Sequence, residues 1–373
     1  MMLEGHFTGA ALAAEYRTYD YTAYMIWHVI HGLTSPLFFT VSGIIFTYLL
    51  TKDKALSFRT NPRVKKGFRR VLQLLFWGYF IQFNARILIE SLIQGEPYDL
   101  HWLYAFHVLQ SIGFGILTLL LIYGLWSWMK RVPLALLYLI GAIVVFTMND
   151  YLMLHILEQQ KLVADGVLSQ PTFIPEHAPR FIQNMIYGQW SEFSFIRYGG
   201  YTLIGGVIGC LIRSYERYVF RWWFGLIFIM SAFVLLKYTH FILEEGSQWA
   251  IQLGWTDRII WLNNEPAIFG LAIILAFLGL LIYVNKFVKM PNNLFLRMGQ
   301  NTFPIYVVHV IVLYEGLFGI GLSPYLLHQN FTPLQDVMGA LAFIAFFFVM
   351  VKYIEPLERG YGRWIWRRDM KEY

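Results

Sequence analysis

Apolar runs of about twenty residues alternate along this chain with short polar loops, and runs of that length match a helix crossing the roughly 30 Å hydrocarbon core of a bilayer. The pattern predicts nine membrane helices, at 25–50, 71–93, 104–129, 132–153, 195–212, 222–241, 259–284, 302–320 and 334–354. The expected fold is therefore an all-α polytopic membrane protein. It is a bundle of about nine visible transmembrane helices, ten or more if a helix precedes the first of them. The whole of 1–373 reads as one membrane domain, with 157–194 as a cap outside it.

The loops carry the orientation. Lys and Arg concentrate on the cytoplasmic side of membrane proteins, and here alternate loops hold nearly all of them. The loop after the first run has Lys52, Lys54, Arg59, Arg63, Lys65, Lys66, Arg69 and Arg70. Two loops on come Lys130 and Arg131, then Arg213, Arg217 and Arg221, then Lys286, Lys289 and Arg297. The opposite loops offer Glu96 with Asp99 and Glu244 with Glu245. Basic loops and C-terminus are thus expected in the cytoplasm, and residues 1–24 on the far side. Composition agrees: 57% of residues are hydrophobic and 14% charged, too few charges to cover a soluble domain of 373 residues. The net charge of +6 sits beside anionic headgroups and gives no nucleic-acid signal.

The chain opens Met-Met-Leu-Glu-Gly-His without a signal peptide, although the charge pattern puts this end outside. A further helix before Met1 is expected to account for it, the alternative being unaided translocation of a short N-terminus. Cys210, the single cysteine, lies in the fifth run, which excludes an intrachain disulfide and a cysteine metal site.

Ionisable groups inside membrane helices are costly and mark candidate sites. Placed by depth, they gather in the outer half: Arg86 and Glu90 in the second run, His107 and Gln110 in the third, Asn264 and Glu265 at the outer end of the seventh, and His309 in the eighth. With His6, His28 and His31 they suit a water-filled cavity opening outward, where neutral histidines accept protons and cations stabilise developing negative charge. Arg86, His107 and His309 lie deep enough to favour function, whereas Arg197, His240 and Glu90 are placed to snorkel to the interface. His28 and His31 share one helix face three residues apart and read as structural. No metal is expected, since His6, His28 and His31 match no ligand spacing. In 157–194, the spacing of Phe181, Ile182, Met185, Ile186 and Trp190 predicts a helix lying in the interface.

Several segments then resemble one family in order. Leu-Glu-Gly-His at 3–6, followed by Ser-Pro-Leu-Phe-Phe-Thr-Val-Ser-Gly at 35–43, resembles the opening of transmembrane acyltransferases related to heparan-α-glucosaminide N-acetyltransferase and the acyltransferase 3 family. Lys-Lys-Gly-Phe-Arg-Arg at 65–70 resembles their basic motif, and the segment from His107 to Gly113 their Val-Leu-Gln-x-Ile stretch. The run from Met298 to His309 is similar to a late Gly-x-x-Ser-x-x-x-Tyr-x-x-His helix. The family's Asp-x-x-Arg-Gly motif is absent from this chain.

The resemblance implies transfer of an acyl group, by analogy acetyl, from cytoplasmic acyl-CoA to a hydroxyl or amine of a cell-envelope glycan or lipid-linked acceptor. In that scheme acetyl-CoA is the co-substrate and no metal takes part. Lys66, Arg69 and Arg70, with Lys65, would meet the CoA phosphates. His6 would be the general base, with Glu4 orienting it, while Arg86, His107, Gln110, Asn264 and His309 would hold the acceptor or its oxyanion. Transfer through an acyl-histidine is a second route. Membrane lipids and the glycan are the expected partners, a homodimer the oligomer to consider, and a bacterial inner membrane the expected location. The competing classes are a proton-coupled transporter or flippase, for which Gly199-Gly200, Gly205-Gly206 and Asn263-Asn264-Glu265-Pro266 would be helix breaks, and an inactive scaffold subunit.

Overall fold

A computed structural model describes residues 1–52, 57–98, 100–167, 177–188, 191–256, 259–288, 294–314 and 317–361. Among these residues the regular structure is helical: α1 (Met2–Ala11), α2 (Thr22–Gly32), α3 (Thr34–Leu50), α4 (Pro62–Phe80), α5 (Ala85–Gln94), α6 (Val108–Met129), α7 (Leu134–Ala164), α8 (Arg180–Ile186), α9 (Phe195–Ser214), α10 (Trp222–Gln252), α11 (Glu265–Phe287), α12 (Leu294–Gln300), α13 (Thr302–Leu313) and α14 (Pro333–Tyr361). Seven stretches among them are long and apolar enough to cross a membrane: Thr22–Leu50, α6, α7, α9, α10, Leu262–Asn285 and Pro333–Tyr353. The protein is an all-α polytopic membrane protein.

Two of the nine expected spans are corrected. The run expected at 71–93 is two helices. α4 starts at Pro62 and so takes in the basic stretch, and it stops at Phe80; Asn84 then caps α5, its Oδ1 accepting from Ile87 N at 3.1 Å. The run expected at 302–320 ends at Leu313. One interaction terminates both: Ala85 N donates to Leu317 O at 2.9 Å and Leu317 N to Phe83 O at 2.8 Å. Leu317 takes φ 64 to make this bridge. Elsewhere α7 and α10 run on past the predicted ends at 153 and 241, so the segment expected as a cap opens inside α7. Within the segment expected to hold an interfacial helix, α8 forms, with Pro179 at its N-cap; Trp190, Pro171 and Pro175 lie outside the described residues.

The contacts divide the chain into two compact units. The first comprises 1–31, 81–98 and 288–373. Its core is the apolar face of α1 (Leu3, Phe7, Ala10, Ala11) set against Ile305 and Leu313 of α13 and against Ala340, Phe343, Phe347 and Val351 of α14. Phe7 reaches over Gly339, where any side chain would collide with its ring, and meets Phe343 at 5.5 Å between centroids. The last carbonyls of α1 are all claimed. Gln329 N donates to Ala10 O at 3.2 Å, Phe331 N to Ala11 O at 2.9 Å, and the Arg17 guanidinium to Gly9 O at 2.9 Å and Leu12 O at 2.6 Å.

The second unit comprises 32–80 and 99–287. Its centre is the seam of α3 and α9, where Gly43 lies against the Thr202 carbonyl and Gly205 against the Thr40 carbonyl, too close for a Cβ on either. Small residues let membrane helices approach to backbone contact because lipid provides no hydrophobic drive to hold them. Tyr138 is fully buried and donates to Leu119 O at 3.2 Å. α10 meets α11 through Gly225 and Gly279, each facing the other's backbone.

Candidate active site

The Leu-Glu-Gly-His stretch forms the first turns of α1, and its four residues do four different things. Leu3 is buried in the core with Phe7, one turn on. Glu4 accepts a hydrogen bond from Trp27 Nε1 of α2. Gly5 is bare because the His31 imidazole occupies the space a Cβ would need. His6 then faces α13: its Nδ1 is 3.0 Å from the Tyr314 hydroxyl, and its ring lies 5.0 Å from that of His309.

His309 is fully buried in the middle of α13. Its Nδ1 lies 3.2 Å from Ile305 O, and a carbonyl only accepts, so Nδ1 carries the proton and Nε2 the lone pair. That Nε2 is buried without a hydrogen-bond partner among the described residues. His31 completes the group at 6.4 Å from His6, its ring lying flat on Trp27 at 5.0 Å and 6°. Three imidazoles, a phenol and an indole-tethered carboxylate therefore converge on one turn of α1. Such a set can accept a proton, pass it between neutral imidazoles and keep one ring in a fixed tautomer.

Of the residues expected at the site, His6, Glu4 and His309 come together in the first unit. Arg86, in the same unit, is half-exposed and engages Glu90 at 2.7 Å and the Tyr325 hydroxyl. His28 leaves His31 and packs on Tyr19 at 5.5 Å and Tyr24 at 5.8 Å. The remaining residues belong to the second unit. His107 caps α6, its Nδ1 3.2 Å from Glu192 Oε2. Gln110 is fully buried against Gly78, with both amide atoms unpartnered among the described residues. Asn264, 1% exposed, has its amide committed to Asn149 and to Phe146 O, at 2.8 and 2.7 Å. Lys66, Arg69 and Arg70 ride on α4, Arg69 exposed and Lys66 and Arg70 half-buried. Lys65 is exposed one residue before them.

Residues 1–181 match the family model for heparan-α-glucosaminide N-acetyltransferase, catalytic. Over those residues the chain is similar to the heparan-α-glucosaminide N-acetyltransferase family. The family model is that of a catalytic region, and the similarity points to a membrane acetyltransferase. The matched region holds His6, Glu4, His31 and the basic face of α4, while His309 and Tyr314 lie beyond it. No curated protein and no solved structure matches the chain.

Sequence reasoning passed over Tyr314, which closes the α13 helix five residues after His309, and Trp27. It set His31 aside as structural. The available signal was Gly5: a glycine inside a helix costs stability relative to alanine, and its place immediately before His6 asks what approaches there. The answer is His31.

Proposed function

We propose that this protein is an integral membrane acyltransferase that moves an acyl group, by analogy acetyl, from cytoplasmic acetyl-CoA to a hydroxyl or amine of an extracytoplasmic cell-envelope glycan or lipid-linked acceptor. The observation that carries the reading is the His6 imidazole, hydrogen-bonded to Tyr314 at Nδ1 and set beside the buried His309, in a chain whose matched region is a catalytic one. If His6 Nδ1 donates to the phenol oxygen, Nε2 keeps its lone pair. It then takes the acceptor's proton as the acceptor oxygen or nitrogen attacks the thioester carbonyl. The C–S bond breaks and CoA leaves as the thiol once protonated. His309 and His31 disperse the charge that appears on His6.

The donor half of this reading rests on α4. Lys66, Arg69 and Arg70 present cations on the side to which the charge pattern assigns the cytoplasm, as a nucleotide diphosphate requires. A bacterial inner membrane with the C-terminus cytoplasmic completes the proposal.

The test is acetyl transfer from radiolabelled acetyl-CoA to glucosamine-containing acceptors by the protein in nanodiscs. His6→Ala is expected to lower the rate by about 10²–10⁴-fold while leaving acetyl-CoA binding intact. Arg69→Ala with Arg70→Ala is expected to abolish saturable binding of acetyl-CoA. Full turnover by His6→Ala would remove the base assignment, and wild-type protein that neither binds acetyl-CoA nor transfers acetyl would remove the enzyme.

A further inference from the structure

The second unit contains a buried polar knot that the acyl-transfer reading does not use. Asn149 and Asp150 are consecutive on α7, about 24 Å along that helix from Leu134 at the usual 1.5 Å rise. They are 6% and 0% exposed. Both are tied to the turn that starts α11: Asn149 Nδ2 donates to Asn264 Oδ1 at 2.8 Å, and Asn263 N donates to Asp150 Oδ1 at 3.0 Å. Trp261, just before the turn, holds φ 73 and donates its indole N–H to Thr147 Oγ1 at 2.7 Å, one helical step from the knot. A non-glycine residue held in the left-handed region is a sign of local constraint.

These bonds leave two acceptors unspent. Asp150 Oδ2 and Asn149 Oδ1 are buried and have no hydrogen-bond partner among the described residues. The carboxylate also has no salt bridge there. The next acid along, Glu265, is half-exposed and turns to His240 at 3.2 Å. A water molecule could satisfy the two oxygens, but among the described residues it would leave the carboxylate's charge uncompensated in an apolar helix bundle, which costs several kcal/mol. The start of α11 offsets only about half a charge. Two hard oxygen donors bearing one formal charge call for a hard monovalent cation. A divalent ion would invert the imbalance and ordinarily recruits more carboxylates.

We propose that this knot binds an alkali cation, with Asp150 Oδ2 and Asn149 Oδ1 as its side-chain ligands, and that the ion locks α7 to the start of α11. The inference is independent of the acyl-transfer chemistry. Its test is thermal unfolding of the full-length protein in nanodiscs, in sodium, potassium or choline chloride at equal ionic strength. The melting temperature is expected to rise saturably with sodium or potassium, by roughly 3 °C or more at a hundredfold excess over the dissociation constant, relative to choline. Asp150→Asn, which keeps the acceptor for Asn263 N but removes the charge, is expected to abolish that rise. If Asp150→Asn does not fold, Asn149→Ala is expected to diminish the rise, and broadening of the ²³Na resonance by wild-type protein reads the ion directly. Identical wild-type melting in all three salts, with no sodium broadening, would overturn the proposal in favour of a buried water. A melting temperature that follows pH and ignores the cation would overturn it in favour of a protonated Asp150.

Discussion

The histidine cluster of the first unit and the asparagine–aspartate knot of the second are both polar groups held within greasy helices, yet they are built on opposite plans. In the knot, Asn264 spends its amide oxygen and nitrogen on fixed partners, and each bond joins α7 to the turn before α11. In the cluster, the rings are fixed from behind. His31 lies flat on Trp27, His309 donates back into its own helix, and among the described residues nitrogens remain unpartnered at His309 Nε2 and His31 Nδ1. Hydrogen bonds that run from one helix to the start of another make a joint; unsaturated nitrogens on rigid supports make a reactive surface. Burial alone does not separate the two, since His309 and Asp150 are both fully enclosed. What separates them is where the remaining lone pairs are directed and what holds the ring or carboxylate still.

The sharpest way to break this comparison is Asn264→Leu. It strands Asn149 Nδ2 in the bundle and removes the second bond to Phe146 O, and is expected to cost about 2–4 kcal/mol, read as a large fall in melting temperature. A fall no greater than that of a surface substitution would deny the knot its role as a joint. Next comes Gly5→Ala. The added methyl meets the His31 ring, so overpacking is expected to cost about 1–3 kcal/mol and to reduce acetyl transfer more than stability, because the displaced ring borders His6. Unchanged activity would show that His31 is not part of the reactive surface. The smallest effect is expected from Tyr314→Phe. It keeps the ring that packs on His6 and deletes one hydrogen bond, for about 1 kcal/mol or less of stability. The turnover number is expected to fall about tenfold with the KM for acetyl-CoA unmoved, and an equal fall at every pH with no change in profile would argue against a hold on the His6 tautomer.

Much of the fold was legible because a bilayer imposes a length and an apolar composition that the chain spells out directly. Six of the nine predicted runs coincide over most of their length with a stretch that is long and apolar enough to cross a membrane, and a seventh such stretch, Thr22–Leu50, contains the first run. The two that failed did so for a reason no local window sees. The end of the 71–93 run and the end of the 302–320 run pair with each other through Phe83, Ala85 and Leu317, more than 200 residues apart in sequence. The site was legible in its histidines and not in their supports. His6 and His309 stood out as polar residues in apolar surroundings. Trp27 and Tyr314 did not, since aromatic residues are ordinary near membrane interfaces. Glu4 was expected to steady His6; its hydrogen bond is with Trp27, and Tyr314 is the group on His6 Nδ1.

The glycine contacts between α3 and α9 carry information as well as closeness. Most lipid-facing surfaces of this chain are interchangeable, so hydrophobicity cannot tell one helix where along its neighbour to stop. Gly43 and Gly205 can. Each accepts the other helix's backbone at one position only, and a shift by a single residue would bring Ser42, Ile44, Ile204 or Gly206 to that place, three of the four with a side chain to accommodate. The pair works as an address: α3 and α9 assemble in one register because the others are occupied, and a larger residue at either position would erase the address before it touched any chemistry.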